Sequence, residues 1–388
     1  MKIGFFTDTY LPIIHGVEIS METFRQVFEK MGHQVYIYAP HVPGYKDKNP
    51  NVFRFNSVKI VKEPEMRFAF PVFPQDAFKE ASKFKIDIAH AHTPFSMGLL
   101  AKYIAKKQKI PMVYTHHTHY PEYAKVYFKE KLLLPQLAKL YCAWFANMAD
   151  TIIAPSEKIK KMVRTYGVKK TIPIQVVLTG INLDIFKPSA QEGQKIKEKL
   201  NIPKQTKILL FVGRINKEKN VEFLIDVIKE ISLKRQDFKL LMAGDGALIE
   251  ELKEKINQLN ISQFVQFVGK VPHKSVSQYY QAADLFCFPS LTDTQGIVLL
   301  EAMACGSPVV TLKDDAFFNV VKDNENGFMV SRQSVFLYAQ KIIQLFDDQQ
   351  LYKQFSIAAQ DTAKKYSETS QAQKLIKIYQ DLIDKKKV

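Results

Sequence analysis

The chain has 388 residues, 46% of them hydrophobic and 24% charged, which allows two to three domains with buried cores and is neither disordered nor fibrous in composition. Its formal net charge of +16 is uneven: 26 Lys and Arg against 15 Asp and Glu precede Ile185, so +11 lies in the first part. Such a basic half suits an anionic membrane, an acidic substrate or nucleic acid, and no nucleic-acid motif accompanies it. Ile3 to Phe6 is too short an apolar run for a leader peptide, and Lys139 interrupts the most apolar region before it reaches the roughly 18 residues of a spanning helix. A soluble or peripheral protein is therefore expected. Cys142, Cys287 and Cys305 are scattered without metal-ligand spacing, which fits a reducing cytoplasm.

Lys2 to Thr7 reads as a short apolar strand that runs into a loop from Asp8 to Val17. Ile19 to Met31 then has helical periodicity, Gly32 stops it, and Gln34 to Ala39 is a second strand. Strand, glycine loop, helix, strand is the opening of a doubly wound α/β domain. Gly16 in the loop either lets a backbone amide approach a diphosphate or marks an ordinary turn. Strands follow at Val52 to Phe55, Ile86 to His90 and Pro111 to Thr115, with a helix from Met97 to Lys107 between the last two. These two strands deliver His90 and His92, then His116, His117 and His119, to the C-terminal edge, where open α/β sheets bind ligands. The histidines are therefore read as functional rather than core. A metal is the rival account, but acids at ligand spacing are missing and no Asp-x-Asp occurs in the chain, so none is expected.

Lys125 to Met148 mixes Lys125, Lys129, Lys131 and Lys139 with Leu137, Leu140, Trp144 and Phe145, and Pro135 starts or breaks a helix within it. It reads either as a core-facing stripe under a solvated lysine face or as a basic helix lying in a membrane interface. Phe68-Ala69-Phe70-Pro71-Val72-Phe73-Pro74 reads as an aromatic loop with the same two explanations. Thr151 to Ala154 and Gln175 to Leu178 finish the first domain, Thr179 to Asp184 makes the crossing, and Gln191 to Leu200 is a linker helix.

The second domain opens with the strand Lys207 to Val212, which feeds Gly213-Arg214 and Lys219. Arg214 can hold a diphosphate as a planar fork while Lys219 adds a point charge, although charged loops after strands are common. Further strands are Lys239 to Ala243, ending at Gly244-Asp245-Gly246, Val265 to Phe267, ending at Gly269-Lys270-Val271, and Leu285 to Phe288. The stretch PSLTDTQGIVLLEAMACGSP, Pro289 to Pro308, then places Asp293 in a loop, Gly296 at a helix start and Glu301 about a turn further in. The N–H groups of that helix end suit a phosphate, and the carboxylates can accept from sugar hydroxyls. Taken alone, the pair also reads as an N-cap and a solvated surface acid. Val309 to Thr311 closes the sheet, Asn326-Gly327 is a turn, and the rest from Val335 is helical. Neither domain has the Gly-x-Gly-x-x-Gly that a dehydrogenase would place after a strand.

Glu301-Ala302-Met303-Ala304, with an acid eight positions earlier, resembles the signature of the retaining family 4 glycosyltransferases, in which two Glu residues stand at that spacing. Asp293 replaces the first of them. Asp293-Thr294-Gln295-Gly296 also resembles the Glu-Thr-Gln-Gly of the branch that glucosylates diacylglycerol, and Gly213-Arg214 with Lys219 matches the family's diphosphate motif. The resemblance spans nearly the whole chain. It implies the GT-B fold class: an α/β protein of two doubly wound, Rossmann-like domains facing a cleft. Residues 1–184 would bind the acceptor, with about 367–388 packing back on them, and 185–366 would bind the nucleotide sugar. The activity implied is that of a retaining hexosyltransferase with UDP-glucose as co-substrate, no cofactor or metal, and a membrane lipid such as 1,2-diacylglycerol as acceptor. The basic N-terminal domain would hold it at the inner face of the cytoplasmic membrane.

By the same resemblance His117 takes the place of the active-site histidine, and His116 packs. Arg214, Lys219 and Gly16, with the helix at Gly296, would stabilise the departing diphosphate. Glu301 would hold the ribose, while Asp293, Thr294, Gln295 and Ile297 line the sugar. Gly244, Lys270 and Val271 fall in the base-binding segments, and Tyr120, Glu122 and Tyr123 in an aromatic and acidic stretch on the acceptor side. His15 replaces the Gly or Asn usual before Gly16. A transferase of polysaccharide or lipopolysaccharide core synthesis shares every donor motif and stays open as an alternative, as does a noncatalytic sugar- or membrane-binding module.

Overall fold

The computed structural model describes residues 1–13, 16–60, 63–69, 84–121, 134–331 and 333–387. They form two compact units, Met1–Gly180 with Glu368–Val388, and Ile181–Ser367. The first unit is built on β1 (Lys2–Phe6), β2 (Gln34–Pro40), β3 (Val52–Phe55), the pair β4 (Ser57–Ile60) and β5 (Glu63–Ala69), then β6 (Ile88–Ala91), β7 (Met112–Thr115), β8 (Thr151–Ala154) and β9 (Ile174–Val176). β1, β6, β7 and β8 are apolar on both faces or nearly so, the pattern of strands covered by helices on either side. Seven of them form one parallel sheet in the order β3-β2-β1-β6-β7-β8-β9. The helices are α1 (Gly16–Lys30), α2 (Ser96–Gln108), α3 (Leu134–Ala146) and α4 (Glu157–Thr165). Pro135 stands in the first turn of α3, where its missing N–H costs nothing. Ser156 caps α4 by accepting from Ile159 N at 3.4 Å.

The second unit carries β10 (Lys207–Val212), β11 (Phe238–Ala243), β12 (Val265–Gly269), β13 (Leu285–Phe288), β14 (Val309–Leu312) and β15 (Gly327–Val330) in the parallel order β12-β11-β10-β13-β14-β15. Its helices are α5 (Ala190–Lys199), α6 (Val221–Ser232), α7 (Ile249–Gln258), α8 (His273–Ala282), α9 (Ile297–Ala304), α10 (Val335–Asp347) and α11 (Gln349–Lys365). The chain then returns to the first unit as α12 (Glu368–Lys387). There Ala372, Leu375, Ile378 and Tyr379 share one core with Phe5, Phe24, Phe28 and Ile88. Gln371 accepts from Leu178 N at 3.2 Å, and the Tyr379 hydroxyl bonds His90 Nδ1.

Three expectations need correction. Val309–Leu312 does not close the second sheet, because β15 adds a parallel strand outside it. Asn326-Gly327 is therefore the entry to a strand as well as a turn. Buried Asn326 accepts from Lys322 N at 2.8 Å and donates to Val320 O at 2.9 Å, and a Cβ on Gly327 would lie 2.5 Å from the Val309 carbonyl. The aromatic loop is likewise not a loop at its start: Phe68 and Ala69 end β5, which pairs antiparallel with β4, and 70–74 lie outside the described residues. Finally, α1 begins at Gly16, three residues before the predicted Ile19, so Gly16 sits at a helix N-terminus rather than mid-loop.

Tyr379 is fully buried, and Tyr379→Phe would leave His90 Nδ1 without its partner at a cost of about 1–3 kcal/mol. Urea unfolding followed by Trp144, the single tryptophan and a residue of the first unit, should show a lower midpoint for the variant. An unchanged midpoint would mean that this contact carries no stability.

Candidate active site

In the second unit the strand order reverses between β10 and β13, so the loops after these two strands diverge and leave a crevice at their C-terminal ends. Every donor-side residue singled out in this half of the sequence lies on or just beyond that edge of the sheet. Backbone packs on backbone there: Gly244 has φ +152°, and a Cβ on it would fall 1.8 Å from the Gly213 carbonyl oxygen. Gly213 N donates to Ala243 O at 3.0 Å, Ile215 N to Asp245 O at 2.9 Å, and Gly244 N to Gly269 O at 2.9 Å. The loop carrying Lys219 is tied across the crevice to the loop carrying Asp293. Thr292 Oγ1 donates to Glu218 O at 2.9 Å and Asn220 Nδ2 to Pro289 O at 3.3 Å.

Lys219 Nζ stands 3.0 and 2.9 Å from the two Asp293 carboxylate oxygens, with each side chain 16% exposed. It also lies 5.5 Å from the centre of the Phe288 ring. Asp293 is therefore an ion-pair partner and not an N-cap; the N-cap of α9 is Gly296, at φ +71°, with no side-chain cap bond. Arg214 is the open cation, 67% exposed at its side chain, with Nη2 3.1 Å from Glu218 Oε1. Lys270 is exposed just beyond β12, and Val271, Thr294 and Ile297 are half-buried, whereas Gln295 is buried.

Glu301 is not a solvated surface acid. It is 6% exposed, and its Oε2 accepts from the Tyr280 hydroxyl at 2.6 Å. Burial pushes its pKa up to about 7, and the Tyr280 bond only partly opposes this. Nothing near Tyr280 in sequence marked it. Its hydroxyl reaches Glu301 from α8, and only the packing of α8 against α9 brings the two together.

The first sheet reverses its order between β1 and β6. Asp8, just after β1, is buried and accepts from Thr93 Oγ1 at 2.5 Å, from the Ser96 hydroxyl, and from Met97 N at 3.1 Å. Burial raises its pKa while these bonds pull it down. Asp8 was not singled out, although an acid directly after an apolar strand was visible. Among the described residues, a Cβ on Gly16 would meet nothing within 4 Å.

The histidines need correction, because His90 and His92 belong to the core, alongside His116, whose packing the resemblance implied. His90, His92 and His116 are at most 1% exposed. His90 Nε2 bonds Thr115 Oγ1 at 2.6 Å, and His116 Nδ1 bonds the Tyr114 hydroxyl at 2.9 Å. His117 keeps some contact with solvent, and its Nε2 lies 3.0 Å from His92 Nδ1. The surrounding packing still pulls its pKa down to about 4, so it is neutral at pH 7. Tyr120 packs its ring on Phe95 and His116, at 5.4 and 5.6 Å. His15, Glu122, Tyr123, Lys125, Lys129 and Lys131 lie outside the described residues. Among the described residues no set of three or more His, Cys, Asp or Glu side chains is arranged to hold a metal.

Family models match both halves of the chain: Glycosyltransferase Family 4 over residues 14–185 and Glycosyl transferases group 1 over 192–362. Among solved structures, HepE from Anabaena in complex with UDP superposes with a TM-score of 0.81 at 19% identity, covering 98% of this chain and 100% of that one. Its complex with UDP-glucose gives 0.76 at 20% identity, covering the same 98% and 100%. The fold and the paired family models define a two-domain GT-B glycosyltransferase. Alpha-monoglucosyldiacylglycerol synthase of Acholeplasma laidlawii is 32% identical over 99% of this chain and 98% of its own length. The enzyme of the same name from Streptococcus pneumoniae is 34% identical over 84% of this chain and 74% of its own. The chain belongs to the family 4 glycosyltransferases, in the branch that contains the alpha-monoglucosyldiacylglycerol synthases.

Glu301 supplies a stability test. Its carboxyl holds a proton up to about pH 7 in the folded chain but only to about 4.5 when unfolded, so between these values the folded state binds more protons and stability falls as pH rises. Glu301→Gln keeps an acceptor for Tyr280 and removes the buried charge. Thermal unfolding should show the variant gaining on wild type between pH 5.5 and pH 8, by on the order of 1–3 kcal/mol. Parallel pH profiles for the two proteins would show that the carboxyl is not held neutral.

Proposed function

We propose that the protein transfers glucose from UDP-glucose to 1,2-diacylglycerol with retention of the anomeric configuration and without a metal ion. The observation that supports the donor half is the Lys219–Asp293 pair between the segments that follow β10 and β13, which also carry Arg214 and Glu301, at the switch point of a parallel sheet, where nucleotides bind in such folds. In this reading Arg214 and Lys219 take the diphosphate together with the N–H groups at the start of α9. Lys219 exchanges part of its contact with Asp293 for a phosphate oxygen, which frees a carboxylate oxygen for a glucose hydroxyl. Glu301 accepts from the ribose, Gly244, Lys270 and Val271 flank the base, and Thr294, Gln295 and Ile297 complete the sugar's wall.

Bond changes balance without a protein nucleophile. The acceptor hydroxyl attacks the anomeric carbon on the face that the diphosphate leaves, the bond from that carbon to the phosphate oxygen breaks, and the hydroxyl proton passes to the departing phosphate. Two cations offset the charge that develops there, which is the work a divalent ion does elsewhere.

The lipid half is supported by the names of the synthases above and by α3. Its inner face buries Cys142, Phe145 and Ala146, while Leu137, Leu140 and Trp144 stand 56%, 63% and 50% exposed on another face. A helix that is apolar on both sides has more to cover than its own core, and a basic domain adds attraction to anionic lipid of about 1 kcal/mol per nearby Lys or Arg. Among the described residues no helix is long and apolar enough to cross a membrane, so the contact proposed is peripheral.

The deciding experiment incubates the chain with a panel of nucleotide sugars, with diacylglycerol in anionic vesicles or with soluble sugar acceptors, in excess chelator. An α-glucosyl diacylglycerol made from UDP-glucose alone is the outcome expected. Product only with a soluble acceptor would favour a role in polysaccharide or core synthesis, and loss of activity restored by Mg²⁺ would overturn the metal-free account. In the same assay Lys219→Ala should lower kcat by about two orders of magnitude or more, the scale on which loss of a charge stabiliser acts. Near-normal turnover would place the diphosphate elsewhere.

A further inference from the structure

Glu301 arrives at the candidate site with one oxygen already committed. The Tyr280 hydroxyl donates to Oε2 at 2.6 Å. The Tyr280 ring is wholly buried between Phe186 and Phe286, at 5.9 and 5.5 Å, and its backbone carbonyl accepts from Ser307 Oγ at 3.2 Å. The residue is thus held by its ring and its backbone. Among the described residues, Glu301 has no second side-chain hydrogen bond.

We propose that Tyr280 is a positioning residue of the nucleotide site: by holding Oε2 it fixes the Glu301 carboxylate and leaves Oε1 to accept from the vicinal hydroxyls of a nucleotide's ribose. This rests on the reading of Glu301 as the ribose ligand. A buried carboxylate with no cation at hand depends on such a bond to ionise at all, since a hydrogen bond to the charged form favours it. Burial drives the Glu301 pKa up to about 7 and the Tyr280 bond draws it back. Tyr280 on α8 and Cys305 after α9 are the other titratable groups that interact with it, and burial holds both above their ordinary values. The buried face of α11 carries Phe355, Ala359 and Ala363, and β14 is Val-Val-Thr-Leu, so neither adds a charge. Between about pH 5 and 8.5 Glu301 is the group here that changes state.

UDP-glucose is the probe, because each of its phosphates carries a single ionisation that is complete well below this range. Calorimetric binding to wild type should strengthen several-fold as pH rises through about 7. Tyr280→Phe keeps the ring and loses the donor; its midpoint should move up by about half a unit to one unit, with affinity at pH 7.5 about three- to tenfold weaker. Glu301→Gln should bind with no pH dependence in this range, and adding Tyr280→Phe to it should change nothing more. A ¹³C NMR titration of the glutamate carboxyls in the free protein, with Glu301 assigned by its loss in Glu301→Gln, reads the same midpoint without ligand. A Glu301 midpoint that is the same in Tyr280→Phe as in wild type overturns the proposal. Should Glu301→Gln instead bind UDP-glucose with wild-type affinity and pH dependence, the ribose assignment fails, while the NMR titration still judges the Tyr280 bond.

Discussion

The outward winding of each parallel sheet from its first strand is the constraint on which the candidate site depends. Helices that connect β10 to β11 and β13 to β14 must cover opposite faces, so the two loops that leave β10 and β13 part from one another. No side chain has to hold the crevice open, because chain direction and handedness do so. The side chains instead tie its rims together: Lys219 reaches Asp293, and Thr292 and Asn220 bond the backbone of the opposite rim. Asp8 does the same work at the reversal in the first sheet, where one buried carboxylate accepts from Thr93, Ser96 and the N-terminal backbone of α2.

The two carboxylates of the second unit are treated differently, and the difference follows from what each was given as a partner. Asp293 has a cation, so its charge is neutralised locally and it remains partly in water. Glu301 has only a neutral hydroxyl in a buried setting, where an uncompensated charge is costly. One acid therefore carries a settled charge, and the other is balanced near neutrality.

Most of the strands were legible, because buried parallel strands such as Ile208 to Phe211 and Val309 to Leu312 are short apolar runs that no amphipathic helix mimics. Gly213, Arg214, Gly244 and Lys270 stood out in the sequence too, since each follows directly on such a run. What escaped reading was either non-local or masked by a strong local signal. Tyr280 sits in a helix whose apolar face looks like any other, and only the fold brings its hydroxyl to Glu301. Gly327 looked like a turn because Asn-Gly usually is one, and the close approach of Val309 that makes it a strand entry is tertiary. The histidines misled for the opposite reason: they do follow strands at the C-terminal edge of the sheet, but His90 is satisfied by hydroxyls within the core, and only His116 was expected to pack.

The return of α12 to the first unit has a consequence for how the chain is made. Residues 1–180 are made before α12, yet the face of their sheet that contains Phe5, Phe28 and Ile88 is completed by Ala372, Leu375 and Tyr379. Residues 181–367 are contiguous and emerge whole before that last helix does. The vectorial order of synthesis, which ordinarily favours the N-terminal domain, is thus inverted here. The second unit can close its core from contiguous chain, while the first keeps an apolar sheet face uncovered until α12 follows.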